Sequence, residues 1–149
     1  METHTRQVSR RLHEEHQATL ALWARVEASL AAGKADALLM RSAAASLAEE
    51  IERHFAFEEN ELFPRLAGAG EGDIAELLAE EHATIRAAGR RFLAAAKENP
   101  LDPNLRPLGL ELAERLVSHV QKEEMSLLPA LDDLIDAETD EALVAQLLT

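Results

Sequence analysis

The chain has 149 residues with 15 basic and 28 acidic side chains, a formal net charge of −13, and no cysteine. This is the length of one ordinary domain, so we expect a single domain over residues 1–149, and the hydrophobic share of 47% is typical of a globular fold. The acidic excess argues against nucleic acid and anionic membranes as partners, and the missing cysteines exclude disulfides, thiolate metal sites and cysteine nucleophiles.

Hydrophobic periodicity predicts four long helices and no strands. Apolar residues recur at three- and four-residue steps in four segments that breaker residues separate. These segments cover about residues 8–32, 37–66, 74–98 and 104–131. Pro64 and Pro129 are expected to end or kink the second and fourth helices. We therefore expect an all-α fold in which the four helices form an up-down-up-down bundle.

Capping residues predict where individual helices begin and end. Gly33 closes the first segment, and Asp36 is the expected N-cap of the second. Asp73 is the expected N-cap of the third segment, after three loop glycines. Thr139 is the expected N-cap of a short C-terminal helix over about 139–148, which we expect to lie across one end of the bundle.

The sequence contains an internal duplication. Residues 47–66 align with residues 112–131 at an offset of 65, with nine of twenty positions identical, and both copies read H-x-x-x-E-E-x-x-L-x-P-x-L. The tripeptide Glu-Glu-His also occurs twice, ending at His16 and at His82. The chain therefore consists of two tandem helical hairpins, each with one His on its first helix and a His-x-x-x-Glu motif on its second.

The His and Glu residues of the repeated motif share one helix face. Residues four apart in an α-helix lie one turn apart on the same side, so His54 points with Glu58 and His119 points with Glu123. Each His follows an apolar core position by three residues, which places both pairs on the buried side of their helices. Buried imidazoles and carboxylates are costly unless a metal or a complete hydrogen-bond network satisfies them.

The buried His and Glu residues suit a pair of divalent metal ions. Four terminal imidazoles and two bridging carboxylates supply about eight of the roughly twelve bonds that two six-coordinate ions form. The open positions can take a bridging oxide or hydroxide, water, and an exogenous ligand, which indicates reactivity or sensing. Imidazole and carboxylate also suit zinc and manganese, so the residues alone leave the metal open. The candidate ligands are His16, His54, Glu58, His82, His119 and Glu123.

With these motifs in order over about residues 12–131, the chain resembles the hemerythrin-like proteins, also called the HHE cation-binding domain family. The resemblance implies a four-helix bundle around two non-haem iron ions, with the four His residues as terminal ligands. It further implies that Glu58 and Glu123 bridge the two ions together with an oxo or hydroxo group. Zinc and manganese are the alternative metals.

Two positions differ from the oxygen-carrying members of that family. Those proteins have a fifth His one turn after the third-helix His, where this chain has Arg86. They also have an Asp five residues after the last His, whereas this chain has Glu123 four residues after it. The pattern is therefore more similar to the HHE proteins linked with nitric-oxide or oxidative stress, iron handling and sensing.

Other polar residues near the motif receive different interpretations. Glu59 and Glu124 lie about 100° off the ligand face, so we expect them to accept hydrogen bonds or to face water rather than bind metal. Glu61, seven residues after the second-helix His, is the most plausible additional carboxylate ligand. His13 is explained more simply as a solvated residue than as a fifth imidazole, and we assign no role to His4.

Three functions are compatible with the motif. The first is a di-iron protein that binds O2, NO or peroxide for sensing, storage or stress protection. The second is a di-iron redox enzyme of the peroxidase, catalase or nitric-oxide reductase type, so whether the chain is an enzyme stays open. The third is a helical interaction module with zinc or no metal. Because no signal peptide or membrane segment is recognisable, we expect a cytoplasmic protein, and its oligomeric state is not defined by the residues.

Overall fold

The computed structural model describes residues 4–34 and 36–149, and the regular secondary structure of this part of the chain is helical throughout. The α-helices are α1 (Gln7–Ala31), α2 (Ala37–Glu49), α3 (Phe63–Gly68), α4 (Gly72–Glu98), α5 (Leu105–Met125), α6 (Leu127–Leu134) and α7 (Ala137–Leu147). Two π-helical segments, Glu50–Phe55 and Glu58–Leu62, lie between α2 and α3. No helix among the described residues is both long and apolar enough to cross a membrane.

The long helices pack side by side. Helix α1 packs against α5 and also contacts α2, while α4 packs against α5, α2 and α3. Helix α7 lies against α1, and α6 contacts α1, α3 and α5. The all-helical architecture predicted from the hydrophobic periodicity is confirmed.

The second predicted helix departs from regular α-helical geometry over the residues that carry the His-x-x-x-Glu motif. Glu50–Phe55 and Glu58–Leu62 form π-helical turns, which have i→i+5 hydrogen bonds and are frequent at functional sites. Pro64 contributes to this irregularity, because proline has no N–H and its ring displaces the carbonyl four residues earlier. Helix α3 then starts at Phe63 with the proline in its first turn. The predicted interruption at Pro64 is confirmed.

The fourth predicted helix is interrupted at the corresponding place in the second repeat. Helix α5 ends at Met125, Ser126 leaves helical geometry with φ −125° and ψ −63°, and α6 starts at Leu127. Pro129 explains the break, because it cannot donate a hydrogen bond to the carbonyl of Met125. The expected effect of Pro129 is confirmed, whereas a single continuous helix to residue 131 is wrong.

Asp36 caps the second helix as predicted, but two other predicted caps are wrong. The Asp36 side chain accepts a hydrogen bond from a backbone N–H in the first turn of α2 at 3.0 Å. Asp73 is not the N-cap of α4, because the helix already begins at Gly72. Asp136, rather than Thr139, caps α7, and it accepts a hydrogen bond from the backbone N–H of Thr139 at 2.7 Å. An Asp three residues before a Thr leaves two acceptable caps in the sequence, and the structure uses the earlier one.

Glycines end two of the helices. Gly33 (φ +68°) follows α1 and Gly70 (φ +91°) follows α3, both in the left-handed region that glycine adopts without steric cost. After Gly33, Lys34 donates its backbone N–H to the carbonyl of Ser29 at 3.0 Å, which satisfies one of the free carbonyls at the end of α1. Gly33 therefore closes the first helix as predicted.

The buried apolar side chains form two clusters along the bundle. One cluster includes Trp23 and Phe92, and the other includes Leu12 and Leu127. On α1, His16 lies between Leu12 of one cluster and Trp23 of the other, and the other buried His and Glu residues occupy the same level of the bundle. These six residues form a polar layer between two apolar layers. The members of this polar layer are His16, His54, Glu58, His82, His119 and Glu123.

Helix α7 supplies the cap that α1 lacks. The carboxylate of Asp140 on α7 accepts hydrogen bonds from the backbone N–H groups of Gln7 at 2.8 Å and Val8 at 2.9 Å. The residue at the N-cap of α1, Arg6, makes no side-chain capping bond. A carboxylate in this position also interacts favourably with the positive end of the helix dipole. The tail helix therefore fixes the start of the helix that carries His16.

Replacing Asp140 by Ala is expected to lower the free energy of unfolding by about 2 kcal/mol, because it leaves two backbone N–H groups without their acceptor. The neighbouring exposed residue offers a matched control, and Glu141→Ala should change stability by less than about 0.5 kcal/mol. Urea unfolding followed by circular dichroism measures both variants. Equal unfolding midpoints for the two variants would contradict the proposed capping role.

Candidate metal centre

All six residues of the polar layer meet inside the bundle. None of their side chains is more than 2% exposed. The first hairpin contributes His16 from α1, with His54 and Glu58 from the π-helical segments, and the second contributes His82 from α4, with His119 and Glu123 from α5. The structure therefore brings together every residue that the sequence predicted as a candidate ligand.

The donor atoms of the polar layer form two groups that share both carboxylates. Within each group, one donor atom from each residue lies within 4.8 Å of all the others. The first group is His16, His54, Glu58 and Glu123, and the second group is Glu58, His82, His119 and Glu123. Each hairpin thus supplies both imidazoles of one group and one carboxylate common to the two.

Each shared carboxylate presents one oxygen to each group. Glu58 Oε2 lies 3.2 Å from Nε2 of His54, and Glu58 Oε1 lies 3.2 Å from Nε2 of His82. Glu123 Oε1 lies 2.9 Å from Nε2 of His16 in the first group. Glu123 Oε2 lies 3.0 Å from Nε2 of His119 in the second group. Each of these carboxylates therefore lies between the two groups, with one oxygen close to an imidazole of each.

Several atoms of the polar layer are buried without a hydrogen-bond partner among the described residues. They are Nε2 of His54, both carboxylate oxygens of Glu58, and Oε2 of Glu123. Polar neighbours lie close to these atoms, but the angles do not allow hydrogen bonds. In addition, the Nε2 atoms of His82 and His119 face each other at 3.0 Å. Unpaired buried polar atoms cost about 1–3 kcal/mol each, and cations bound between these atoms would satisfy all of them at once. The residues present therefore fit a pair of metal ions.

Each imidazole of the polar layer donates a hydrogen bond from Nδ1, the ring nitrogen that faces away from the two groups, to a Glu side chain. Because an ionised carboxylate can only accept, Nδ1 carries the proton and Nε2 is left as the metal-binding atom. The pairs are His16 with Glu124 (2.6 Å), His54 with Glu15 (3.1 Å), His82 with Glu59 (2.6 Å) and His119 with Glu81 (2.9 Å). The prediction that Glu59 and Glu124 accept hydrogen bonds is confirmed.

Sequence reasoning missed the corresponding roles of Glu15 and Glu81. Each of these residues directly precedes a His of the repeated Glu-Glu-His tripeptide, which served only as a sign of the duplication. The signal was nevertheless present, because adjacent residues of an α-helix point about 100° apart. A Glu before an inward His therefore reaches sideways to the neighbouring helix, where it meets the His of the other helix in its hairpin.

Arginine and lysine side chains hold three of these four carboxylates. The pairs are Arg53 with Glu15 (2.8 Å), Arg86 with Glu59 (2.6 Å) and Lys122 with Glu81. Arg86 binds Glu59 through both guanidinium NH groups, so it supports His82 through a carboxylate. The fourth carboxylate, Glu124, is paired with an imidazole instead, at 2.5 Å from Nδ1 of His13.

The protonation of this network in the metal-free chain is shifted by its buried charges. Burial alone would lower the pKa of His16, but hydrogen bonds to Glu123 and Glu124 outweigh it and raise the pKa to about 9. Burial alone would also lower the pKa of His82, but the buried carboxylates of Glu58 and Glu123, 3.2 and 3.6 Å from its Nε2, outweigh burial and raise the pKa to about 9. Burial would raise the pKa of Glu123, yet His119 and the other imidazoles hold it well below the usual range. Without metal, protons on the imidazoles balance the buried carboxylates.

Aromatic rings cover one side of the second group. The ring of Phe55 stacks on His82 with centroids 3.8 Å apart and planes 3° from parallel, and Phe63 approaches His82 at 5.1 Å. The guanidinium carbon of Arg86 lies 5.6 Å from the centroid of the Phe55 ring. Sequence reasoning did not identify Phe55 as a site residue, because an aromatic residue beside a buried His is ordinary core composition. These rings restrict the access of water to His82.

The structure does not bring Glu61 to the polar layer. Its carboxylate accepts a hydrogen bond from the side chain of Gln146 on α7 at 2.9 Å. The suggestion that Glu61 is an additional ligand assumed regular α-helical periodicity, whereas the π-helical turns carry more residues per turn and rotate it away. His13 does not join the polar layer either: 39% of its side chain is exposed, as expected of a solvated residue, and it also forms a hydrogen bond with Glu124. His4, to which the sequence assigned no role, is only 7% exposed.

Replacing Glu81 by Gln is expected to weaken metal binding about 10- to 100-fold, because the amide no longer fixes the orientation and tautomer of His119. The adjacent exposed Glu80 provides a matched control, and Glu80→Gln should bind metal as the unmodified chain does. Competition with a chromophoric chelator measures both affinities. Equal affinities for the two variants would show that the hydrogen bond to Glu81 does not support the centre.

The metal-free chain is expected to lose stability as the pH rises from about 6.5 to about 9. The folded-state pKa values of His16 and His82 are raised to about 9, so their stabilising contribution is complete below the unfolded value near 6.5 and is lost as pH rises through about 9. Urea midpoints in the presence of chelator measure this change. The metal-loaded chain is the control, because its imidazoles are already deprotonated at Nε2, and a metal-free chain of constant stability across this window would contradict the prediction.

Comparison with known proteins agrees with this geometry. The family model of the hemerythrin HHE cation-binding domain matches residues 7–131, a range that includes all six residues of the polar layer. No curated protein matches the chain, and no solved structure matches it. The match covers well over half of the chain, and buried His and Glu groups that could hold cations lie within it. The chain belongs to the hemerythrin HHE cation-binding domain family.

Proposed function

We propose that this chain is a non-haem di-iron protein that binds a small ligand such as O2, NO or peroxide, for sensing, storage or stress protection. The observation that carries the proposal is the pair of four-residue groups that share Glu58 and Glu123, with one oxygen of each carboxylate directed to each group. We further propose that the four long helical stretches follow an up-down-up-down course around this centre.

Iron fits the donor set through its coordination number. Each group offers two imidazole nitrogens and one oxygen from each shared carboxylate, so a six-coordinate ion keeps about two open positions. When bound, the iron pair supplies the reversible ligand binding and the redox chemistry of the centre. Arg86, at the position of the fifth His of oxygen carriers, is held by Glu59 and leaves such a position unfilled.

The chain's own residues hold and shield this centre. The four Glu side chains that accept from Nδ1 keep every imidazole in one tautomer and one orientation, so little reorganisation accompanies loading. Phe55 and Phe63 place apolar surface beside His82, which suits an uncharged diatomic ligand better than a large polar substrate. Both features support the binding of a small ligand.

Metal analysis of protein produced in iron-replete medium tests the proposal, together with ultraviolet-visible spectra of the oxidised and dithionite-reduced forms. We expect two iron ions per chain and near-ultraviolet bands that disappear on reduction. Glu58→Ala should lose most of the iron and lower the melting temperature, because the bound metal stabilises the folded state by mass action. Glu61→Ala, three residues along the same helical stretch, is the matched control and should retain two iron ions.

Ligand binding is tested by adding NO or peroxide to the reduced protein. We expect stoichiometric spectral changes that reach a plateau, without continued consumption of the ligand. Sustained turnover that disappears in Glu58→Ala would replace this proposal by a redox enzyme that uses the same residues. Zinc in the purified protein, or a melting temperature that neither chelator nor His54→Ala changes, would contradict the di-iron centre.

A further inference from the structure

A second group of potential metal ligands lies outside the polar layer, where α1 begins. It consists of His4, His13 on α1 and Glu124 on α5, and we call it the outer cluster. One donor atom from each of these three residues lies within 4.8 Å of the other two. Glu124 Oε1 faces this cluster, while its Oε2 accepts the hydrogen bond from His16. The outer cluster is therefore separated from the polar layer by a single carboxylate.

The geometry of the outer cluster is close to that of a metal site. Nδ1 of His13 lies 2.5 Å and Nε2 of His4 lies 3.8 Å from Oε1 of Glu124. Ligand atoms of a tetrahedral zinc ion, with bonds of about 2.0–2.1 Å, lie about 3.4 Å apart. Side-chain rotations that move the donor atoms of the outer cluster by a few tenths of an ångström to about one ångström would give these distances. The rings of His4 and His13 already approach each other, with centroids 5.0 Å apart.

His4 is buried in a way that the described residues do not explain. Its side chain is 7% exposed, and its Nδ1 has no hydrogen-bond partner within the part of the chain that the structure describes. The backbone nearby is anchored, because the N–H of Arg6 donates to Asp132 at 3.1 Å and that of Gln7 donates to Asp140. The anchored segment therefore holds a buried imidazole next to a second imidazole and a carboxylate, which are donor types that bind a transition-metal ion.

We propose that His4, His13 and Glu124 form a third, mononuclear site for a divalent transition-metal ion such as Zn²⁺ or Fe²⁺. Two imidazoles and one carboxylate are the ligand set of mononuclear sites for these ions, and they leave further positions for water. His13 remains accessible, with 39% of its side chain exposed, so metal can arrive from solution. Metal binding at Nδ1 of His13 would take the place of the hydrogen bond between this atom and Glu124.

Four carboxylates accept a hydrogen bond from an imidazole of the polar layer, and Glu124 is the one that belongs to the outer cluster. The other three carboxylates that hold an imidazole of the polar layer are paired with Arg53, Arg86 or Lys122, whose positive charges repel a metal cation. Among the described residues, Glu124 is the one carboxylate of these four that also pairs with imidazoles outside the polar layer, those of His13 and His4. In the second hairpin the position equivalent to His13 is Ala79, so the duplication has not produced a second copy of the outer cluster.

Zinc binding to the iron-loaded protein tests this proposal. The protein is titrated with Zn²⁺ in excess Mg²⁺, which occupies exposed carboxylates of this acidic chain but binds imidazole poorly. Calorimetry gives the affinity, and metal analysis after gel filtration gives zinc and iron per chain. We expect one zinc per chain, at least a tenfold weaker affinity in both His13→Asn and His4→Asn, and an unchanged iron content. Glu14→Gln, which removes an exposed carboxylate of α1 outside the outer cluster, is the matched control and should bind zinc normally.

The comparison between variants keeps this test independent of the iron content. If the polar layer holds a metal other than two irons, the proposed function fails, but the unmodified chain should still bind one more zinc than His13→Asn. Because His13 is partly exposed, its replacement should leave the fold intact, as the melting temperature will show. Absence of zinc binding, equal binding in His13→Asn, or zinc uptake matched by iron release would overturn the outer site.

Discussion

The burial of six ionisable side chains in one layer is the constraint on which the rest of the structure depends. Four imidazoles and two carboxylates lie between two apolar clusters, where an unpaired charge costs several kcal/mol. The surrounding residues reduce this cost. A Glu side chain accepts a hydrogen bond from Nδ1 of each imidazole, and Arg or Lys side chains pair with three of these four carboxylates. The Nε2 atoms and the two shared carboxylates are then left to bind metal. Arg86 takes part in this support through Glu59, although it binds no imidazole itself.

How much of this could be predicted from the sequence is clearest at the duplicated motif. Steps of four residues placed His54 with Glu58, and repetition placed the second pair, because a helix face is a local property. Glu15 and Glu81 were missed although each precedes an inward His, because that position shows only that the carboxylate points sideways, and its partner lies on another helix whose relative rotation the sequence does not define. The position of Glu61 was misjudged because π-helical turns depend on Pro64 and on packing rather than on the periodicity of the segment.

The two hairpins contribute equivalent residues to the polar layer, but the residues that pair with the supporting carboxylates differ between them. Glu59 and Glu124 occupy duplicate positions and each holds an imidazole of the other hairpin, yet one is paired with Arg86 and the other with His13. A guanidinium keeps its charge at every physiological pH, whereas an imidazole can exchange its proton for a metal. The same ligand geometry is thus compatible with different surroundings, which is how a duplicated bundle can give its two halves different roles.

The outer cluster also depends on a helix that the family match does not include. The match ends at residue 131, whereas Asp140, which caps α1, lies on α7, and Asp132, which binds the backbone of Arg6, follows the match directly. Without these two contacts the segment that carries His4 would lose two of its backbone anchors, and its imidazole would lose more conformational entropy on meeting a metal. A series of contacts therefore links the tail helix to the polar layer: Asp140 caps α1, the rings of His4 and His13 lie together near that end, and Glu124 connects both to His16.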